Sequence, residues 1–231
     1  LVVDVSNSML AEDVEPSRME RTRYAITNLV DKMKEDGVGI VAFADEAEVL
    51  LPITADYKMA ESVTKRLSPD LIAAQGTDIG EALEVALLSF TRSTKDSKSR
   101  VIILITDGEA HDSTTEAAIE QAKAEGAIIC AIGIGTPEGT PLKINGEIME
   151  DSEGKMVVTK LNEQLLNDIA AATGGRLANG DVLIGIGNGE GAKNNDALEF
   201  LGFLVGERQL HRDQTTLGAV ETAIVGGQRD A

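Results

Sequence analysis

The stretch "RVIILIT" (100–106) is apolar from Val101 to Ile105 and runs straight into Asp107 and Gly108. A strand without polar alternation is one covered on both faces, and two-sided cover marks a largely parallel sheet. On either side of it, strand-like and helix-like segments alternate for about 175 residues. Upstream, "LVV" leads into Asp4. "VGIVAFA" (38–44) and "AEVLLPI" (47–53) read as strands joined by the short link Asp45-Glu46, a hairpin and so one antiparallel edge. Ser17 and Glu20 in "SRME" form a capping box for a helix whose apolar face carries Met19, Ile26, Leu29, Val30 and Met33. A short helix from about Tyr57 to Leu67 stops before Pro69. Ile79, Ala82, Leu83, Ala86, Leu87 and Phe90 then give the cleanest 3.6-residue stripe in the chain.

Downstream, "STTE" (113–116) caps another helix and "AIICAIGIG" (127–135) is another buried strand. Asn145-Gly146 marks a hairpin between "PLKING" and "EIMED". After "MVVT", a helix carrying Leu161, Leu165, Leu166 and Ile169 ends at Gly174-Gly175. This order predicts an α/β fold: a doubly wound, mostly parallel central sheet with one antiparallel edge strand and helices on both faces. The domain is expected over residues 1–178. From 179 to 231 the composition changes to a Gly-rich linker ("NGDVLIGIGNGEGAKNND") and a tail without clear period.

With 42% hydrophobic residues among 231, the chain can bury a full core, built from Val, Ile, Leu and Ala because aromatics are scarce. A formal charge of −18 excludes nucleic acid, whose phosphates would be repelled, and fits cation binding or basic partners. The single cysteine, Cys130, falls in an apolar run and reads as a small buried hydrophobe. No apolar run reaches the roughly 18 residues of a membrane span. A chain that opens inside a strand reads as a segment of something longer. "GIGTPEG" (133–139) and "GIGNGEG" (185–191) lack the strand–turn–helix setting of a phosphate loop and are set aside.

Two apolar strands end in aspartate, at Asp4 and Asp107, and ligands of open α/β sheets sit outside the carboxyl ends of strands. In "DVSNS" (4–8), Asp4, Ser6 and Ser8 stand two apart, so one short loop can aim three oxygens at one point. "AAQGTDIGEAL" adds Thr77 just before the best amphipathic helix. If those ends are neighbours, Asp4, Ser6, Ser8, Thr77 and Asp107 form an oxygen-only set without cysteine or histidine. Such sets select hard cations, Mg²⁺ above all, with Mn²⁺ or Ca²⁺ as alternatives. Hydroxyl ligands leave the ion more of its charge than carboxylates would, and that charge attracts an incoming carboxylate. The competing reading is a turn and cap cluster, since Ser, Asp and Asn favour turns.

"DVSNS", "GTDIGEAL" and "ITDG" together resemble the three parts of the metal-ion-dependent adhesion site of von Willebrand factor type A domains. The resemblance implies that Ser6, Ser8 and Thr77 ligate the metal directly, that Asp4 and Asp107 act mainly through waters, and that a protein ligand's Glu or Asp completes the shell. Asn7, Met9, Asp78, Glu109 and His111 are expected on a partner-binding rim, Asp78 in the first turn of its helix, where a negative charge suits the dipole. "DVSNSMLAEDVEPSRMERTR", "LLPITADY", "ITDGEAHD", "GIGTPEGTPL" and "VVTKLNEQLL" further resemble the Bat-type proteins of bacterial aerotolerance operons. That likeness implies a membrane-tethered parent chain with this domain exposed on one side, the extracytoplasmic one favoured. The alternative chemistry is a Mg²⁺-dependent phosphohydrolase or phosphotransferase with Asp4 as nucleophile. Enzymes of that kind want a second Asp where Ser6 stands.

Overall fold

The computed structural model describes residues 1–33, 36–93, 99–109, 114–144 and 146–179. The elements follow in the order β1 (Val2–Asp4), α1 (Arg18–Lys32), β2 (Val38–Phe43), β3 (Ala47–Thr54), α2 (Tyr57–Thr64) and α3 (Ile79–Ser93). Then come β4 (Arg100–Thr106), α4 (Thr115–Ala124), β5 (Ala127–Gly133), the short β6 (Thr140–Pro141), β7 (Lys143–Ile144), β8 (Glu147–Ile148) and β9 (Val158–Thr159), α5 (Glu163–Ala172) and β10 (Leu177–Asn179). Six strands form one sheet in the order β10-β5-β4-β1-β2-β3. All neighbours are parallel except β2 and β3, whose antiparallel pairing gives the expected edge.

The stretch that opened the sequence reading lies where two-sided burial places it. Ile103 and Ile105 of β4 pack with Val3, Ile40 and Ile132 against α1 and α2. Ile102 and Leu104 pack with Val2, Val41 and Ile129 against α3, α4 and α5. Successive residues of a strand point to opposite faces, so an apolar run serves both layers. Cys130 is buried in the first of these layers. Ser17 caps α1, its hydroxyl accepting the Glu20 N–H at 3.2 Å, as the capping box predicts.

Several boundaries differ from the sequence expectation. The second helix ends at Thr64, and Pro69 opens a 3₁₀ turn over Pro69–Leu71 instead of merely stopping a helix. Thr114, at the start of α4, makes no side-chain cap bond. The β7–β8 hairpin forms around Gly146, which takes φ of +84°. Strand β10, which the sequence reading did not identify, runs across the expected domain boundary at 178 and pairs with β5 through Leu177, Ala178 and Asn179. The expected linker and tail beyond 179, like His111, lie outside the described residues.

The topology fixes where chemistry can sit. From β1 the chain moves outward to β2 and β3, then returns across β1 to β4, β5 and β10. Strand order therefore reverses between β1 and β4, the position at which open α/β sheets leave a crevice for ligands. Asp4 ends β1 and Asp107 directly follows β4.

Candidate metal centre

Asp4 is fully buried. Its Oδ1 accepts the Ser6 N–H at 2.8 Å and its Oδ2 accepts the Thr106 hydroxyl at 2.5 Å. The first bond tightens the chain into a turn straight after β1; the second ties β1 to the end of β4. Ser6 then precedes a 3₁₀ turn over Asn7–Leu10, yet its hydroxyl makes no cap bond to that turn. It lies instead 2.9 Å from the Ser8 hydroxyl. The capping explanation thus does not account for Ser6: two hydroxyls are held side by side over a buried carboxylate anchor.

The loop carrying Thr77 is fastened to the same edge of the sheet. Asp78 N–H bonds to Ala44 O at 2.7 Å, one residue beyond Phe43, the register partner of Asp4. Gln75 Oε1 accepts the Asn7 N–H at 2.9 Å, joining this loop to the serine loop. Of the two consecutive polar residues, Asp78 caps the helix. Its Oδ1 accepts the Glu81 N–H at 2.7 Å and the Thr114 hydroxyl at 3.1 Å. Asp78 is therefore engaged as a cap, not free on a rim, and Thr77, next to it in the chain, is half-buried.

Asp107 is also fully buried. Its Oδ1 accepts the Glu109 N–H at 3.1 Å, and its Oδ2 sits 2.6 Å from Arg18 Nη1. Sequence reasoning passed over Arg18. It opens α1 with no solvent exposure and donates through Nε and Nη2 to Asp13 at 2.8 Å each, and through Nη1 to the Thr159 hydroxyl at 2.8 Å. A signal was present, because Arg18 stands in helical phase with the buried Thr22, Ala25 and Leu29. Room for the guanidinium comes from Gly135, at φ +131°, where a Cβ would stand 2.8 Å from Arg18 Nε. Part of the "GIGTPEG" loop thus serves to seat an arginine. Thr136 in the same loop donates its N–H and hydroxyl to Asp13.

Charge is finely set here. Burial, and then the charge of Asp107, push the Asp4 carboxyl up to about 7, against hydrogen bonds from Thr106 and Ser6. Burial would raise Asp13 as well, but the hydrogen bonds from Arg18 and Thr136 hold it below the usual carboxylate value. Of the expected rim, Met9 is not on the surface: it is fully buried in the core beside Val3 and Val5, because its position in the 3₁₀ turn faces inward. Asn7 is half-buried, and Glu109 is half-buried with its Oε1 accepting the Lys160 N–H at 2.6 Å.

The donor chemistry fits a hard cation. The candidate side chains carry only hydroxyl and carboxylate oxygens, without sulfur or imidazole, which suits a hard cation better than a soft one. Among the described residues no group of three or more His, Cys, Asp or Glu side chains stands placed to hold a metal. Burial and the charge of Asp107 raise the Asp4 carboxyl, and a positive ion beside the pair would relieve that repulsion.

A profile of the von Willebrand factor type A domain matches residues 1–109, which hold all three parts of the site. An aerotolerance-related membrane protein from Bacteroides fragilis is 38% identical, with a TM-score of 0.75 covering 86% of this chain and 95% of that one. The conserved hypothetical protein BatB from Bacteroides thetaiotaomicron is 39% identical, with a TM-score of 0.75 over 80% and 92% of the two chains. A UPF0353 protein of Mycolicibacterium paratuberculosis is 29% identical over 81% of this chain and 56% of its own length. The chain thus spans about half the length of the curated relatives it matches. More distantly, proximal thread matrix protein 1 of the mussel byssus, described with a zinc-occupied metal-ion-dependent adhesion site, shares the fold at 21% identity, with a TM-score of 0.55 over 77% and 40% of the chains.

The chain belongs to the von Willebrand factor type A domain family. Within it, the solved neighbours of high identity place it beside the Bat-type, aerotolerance-related bacterial proteins. No helix among the described residues is long and apolar enough to cross a membrane.

Proposed function

We propose that this domain is a divalent-cation-dependent protein-binding module without catalysis of its own. Ser6, Ser8 and Thr77 ligate Mg²⁺ directly, with Mn²⁺ or Ca²⁺ as alternatives, and Asp4 and Asp107 act mainly through waters. The cation supplies an electrophilic point at which a partner protein's Glu or Asp binds. One observation carries this reading: the Ser6 and Ser8 hydroxyls stand 2.9 Å apart, uncommitted to capping, in a loop anchored by buried Asp4 at the point where strand order reverses. The phosphohydrolase alternative is disfavoured, because a nucleophile must be reachable. Asp4 is fully buried and both of its oxygens accept hydrogen bonds.

The parent protein is read as bacterial and membrane-associated, presenting this domain on the extracytoplasmic side within an assembly related to aerotolerance. The description of the Bacteroides fragilis neighbour as an aerotolerance-related membrane protein supports that. Affinity capture on the immobilised domain, from bacterial membranes with and without EDTA, tests the reading. Partners should be retained with Mg²⁺ and lost on chelation, and lost also with a Ser6→Ala/Ser8→Ala variant. A set of partners unchanged by both treatments would remove the proposal.

A further inference from the structure

Arg18 has no place in the adhesion motif, yet it holds the Asp107 carboxylate more closely than anything else does. Its Nη1 stands 2.6 Å from Asp107 Oδ2, and both side chains are fully buried. The other edge of the guanidinium is filled by Asp13, so the fork cannot turn away. Thr159 and Gly135 complete the seat. Resting on the metal reading above, we propose that Arg18 is a positioning residue that competes with the cation for Asp107, holding that carboxylate in the outer shell and the cation loosely enough to need a partner's carboxylate.

The physical case has two parts. One Asp107 oxygen is committed to a charge that never leaves, since a guanidinium stays protonated at any physiological pH. The other accepts the Glu109 N–H, so an ion ligated directly by Asp107 would share its oxygen with a hydrogen-bond donor already in place. A fixed positive charge within hydrogen-bond reach of a site's carboxylate also opposes an incoming dication, strongly so where water is excluded. Asp13 balances Arg18, but from the side of the guanidinium away from Asp107.

The test is Mn²⁺ titration, by calorimetry, of wild type, Arg18→Lys and the charge-neutral double variant Arg18→Met/Asp13→Asn. The double variant removes the cation and its far carboxylate together, leaving no surplus charge from Asp13 to unfold the domain. A merely structural Arg18 would, when lost, loosen the site and weaken Mn²⁺ binding. The proposal expects the opposite sign: binding tighter by about tenfold or more in the double variant, with Arg18→Lys between, because a point ammonium cannot hold both carboxylates. Wild type that binds no Mn²⁺ removes the metal reading, and this inference with it. Wild type that binds Mn²⁺, beside a double variant that binds it equally or more weakly, overturns the role of Arg18 alone.

Discussion

Thr106 donates its hydroxyl to Asp4 Oδ2 at 2.5 Å, across the boundary between β4 and β1 where strand order reverses. Both residues are fully buried, and the same hydroxyl accepts the Gly108 N–H at 3.0 Å. The orientation of the first acidic residue of the site is therefore set by the strand that delivers the second. Thr106→Val keeps the shape and removes the hydroxyl, leaving a buried carboxylate oxygen and a buried N–H unpaired. The expected loss is about 1–3 kcal/mol of unfolding free energy, read from denaturant melts. A loss under about 0.5 kcal/mol, the range of ordinary surface changes, would show that Asp4 is held by other means.

Asp4 also sets a pH dependence. Its folded value, about 7, lies above its ordinary 3.8, so between those values the folded state binds more protons than the unfolded chain. Without a cation, stability should therefore fall as pH rises from about 4 to about 7. A divalent cation favours the ionised form. The Mg²⁺-induced rise in Tm should accordingly be small near pH 5 and grow through about pH 7. Thermal melts across that range check it; an increment that is flat or shrinks with pH contradicts it.

Met9 belongs to the core and not to a partner-facing rim. Met9→Ala should cost about 2–5 kcal/mol, as deletion of a large buried side chain does. A change within the noise of equilibrium unfolding would return Met9 to the surface.

Gly135 carries φ +131°, and a Cβ there would meet Arg18 at 2.8 Å. Gly135→Ala should destabilise by about 1–3 kcal/mol or more. Part of that cost should vanish in an Arg18→Met background, because the clash is with the guanidinium. A double-mutant cycle measures this, and strict additivity would mean that the strain is in the backbone alone.

Much of the sheet was readable because burial leaves a period. The run from Val101 to Ile105 and the stripe from Ile79 to Phe90 each report which sides are covered. Strand β10 escaped because three residues after Gly174-Gly175 carry too little pattern to show alternation. Asp4, Ser6 and Ser8 were legible as a cluster because chemistry and spacing coincide there, and hydrogen bonds join them in the structure. Neighbours named only for their nearness in sequence fared worse. In the 3₁₀ turn over Asn7–Leu10, Met9 faces the core beside half-buried Ser8. Asp78, expected in the first turn of its helix, stands just before Ile79 and caps it instead. Arg18 could be found only by asking why a charge keeps step with Thr22, Ala25 and Leu29, since nothing local names the carboxylates that receive it.

The central claim is that Ser6, Ser8, Thr77, Asp4 and Asp107 together hold one hard dication. Calorimetric titration of Mg²⁺ and Mn²⁺ into wild type, Asp4→Ala and Ser6→Ala/Ser8→Ala reads it directly. The account predicts one site per chain in wild type, with binding abolished or weakened at least about a hundredfold in both variants, the loss of about 2.7 kcal/mol or more. Heats that are the same in all three proteins would contradict it.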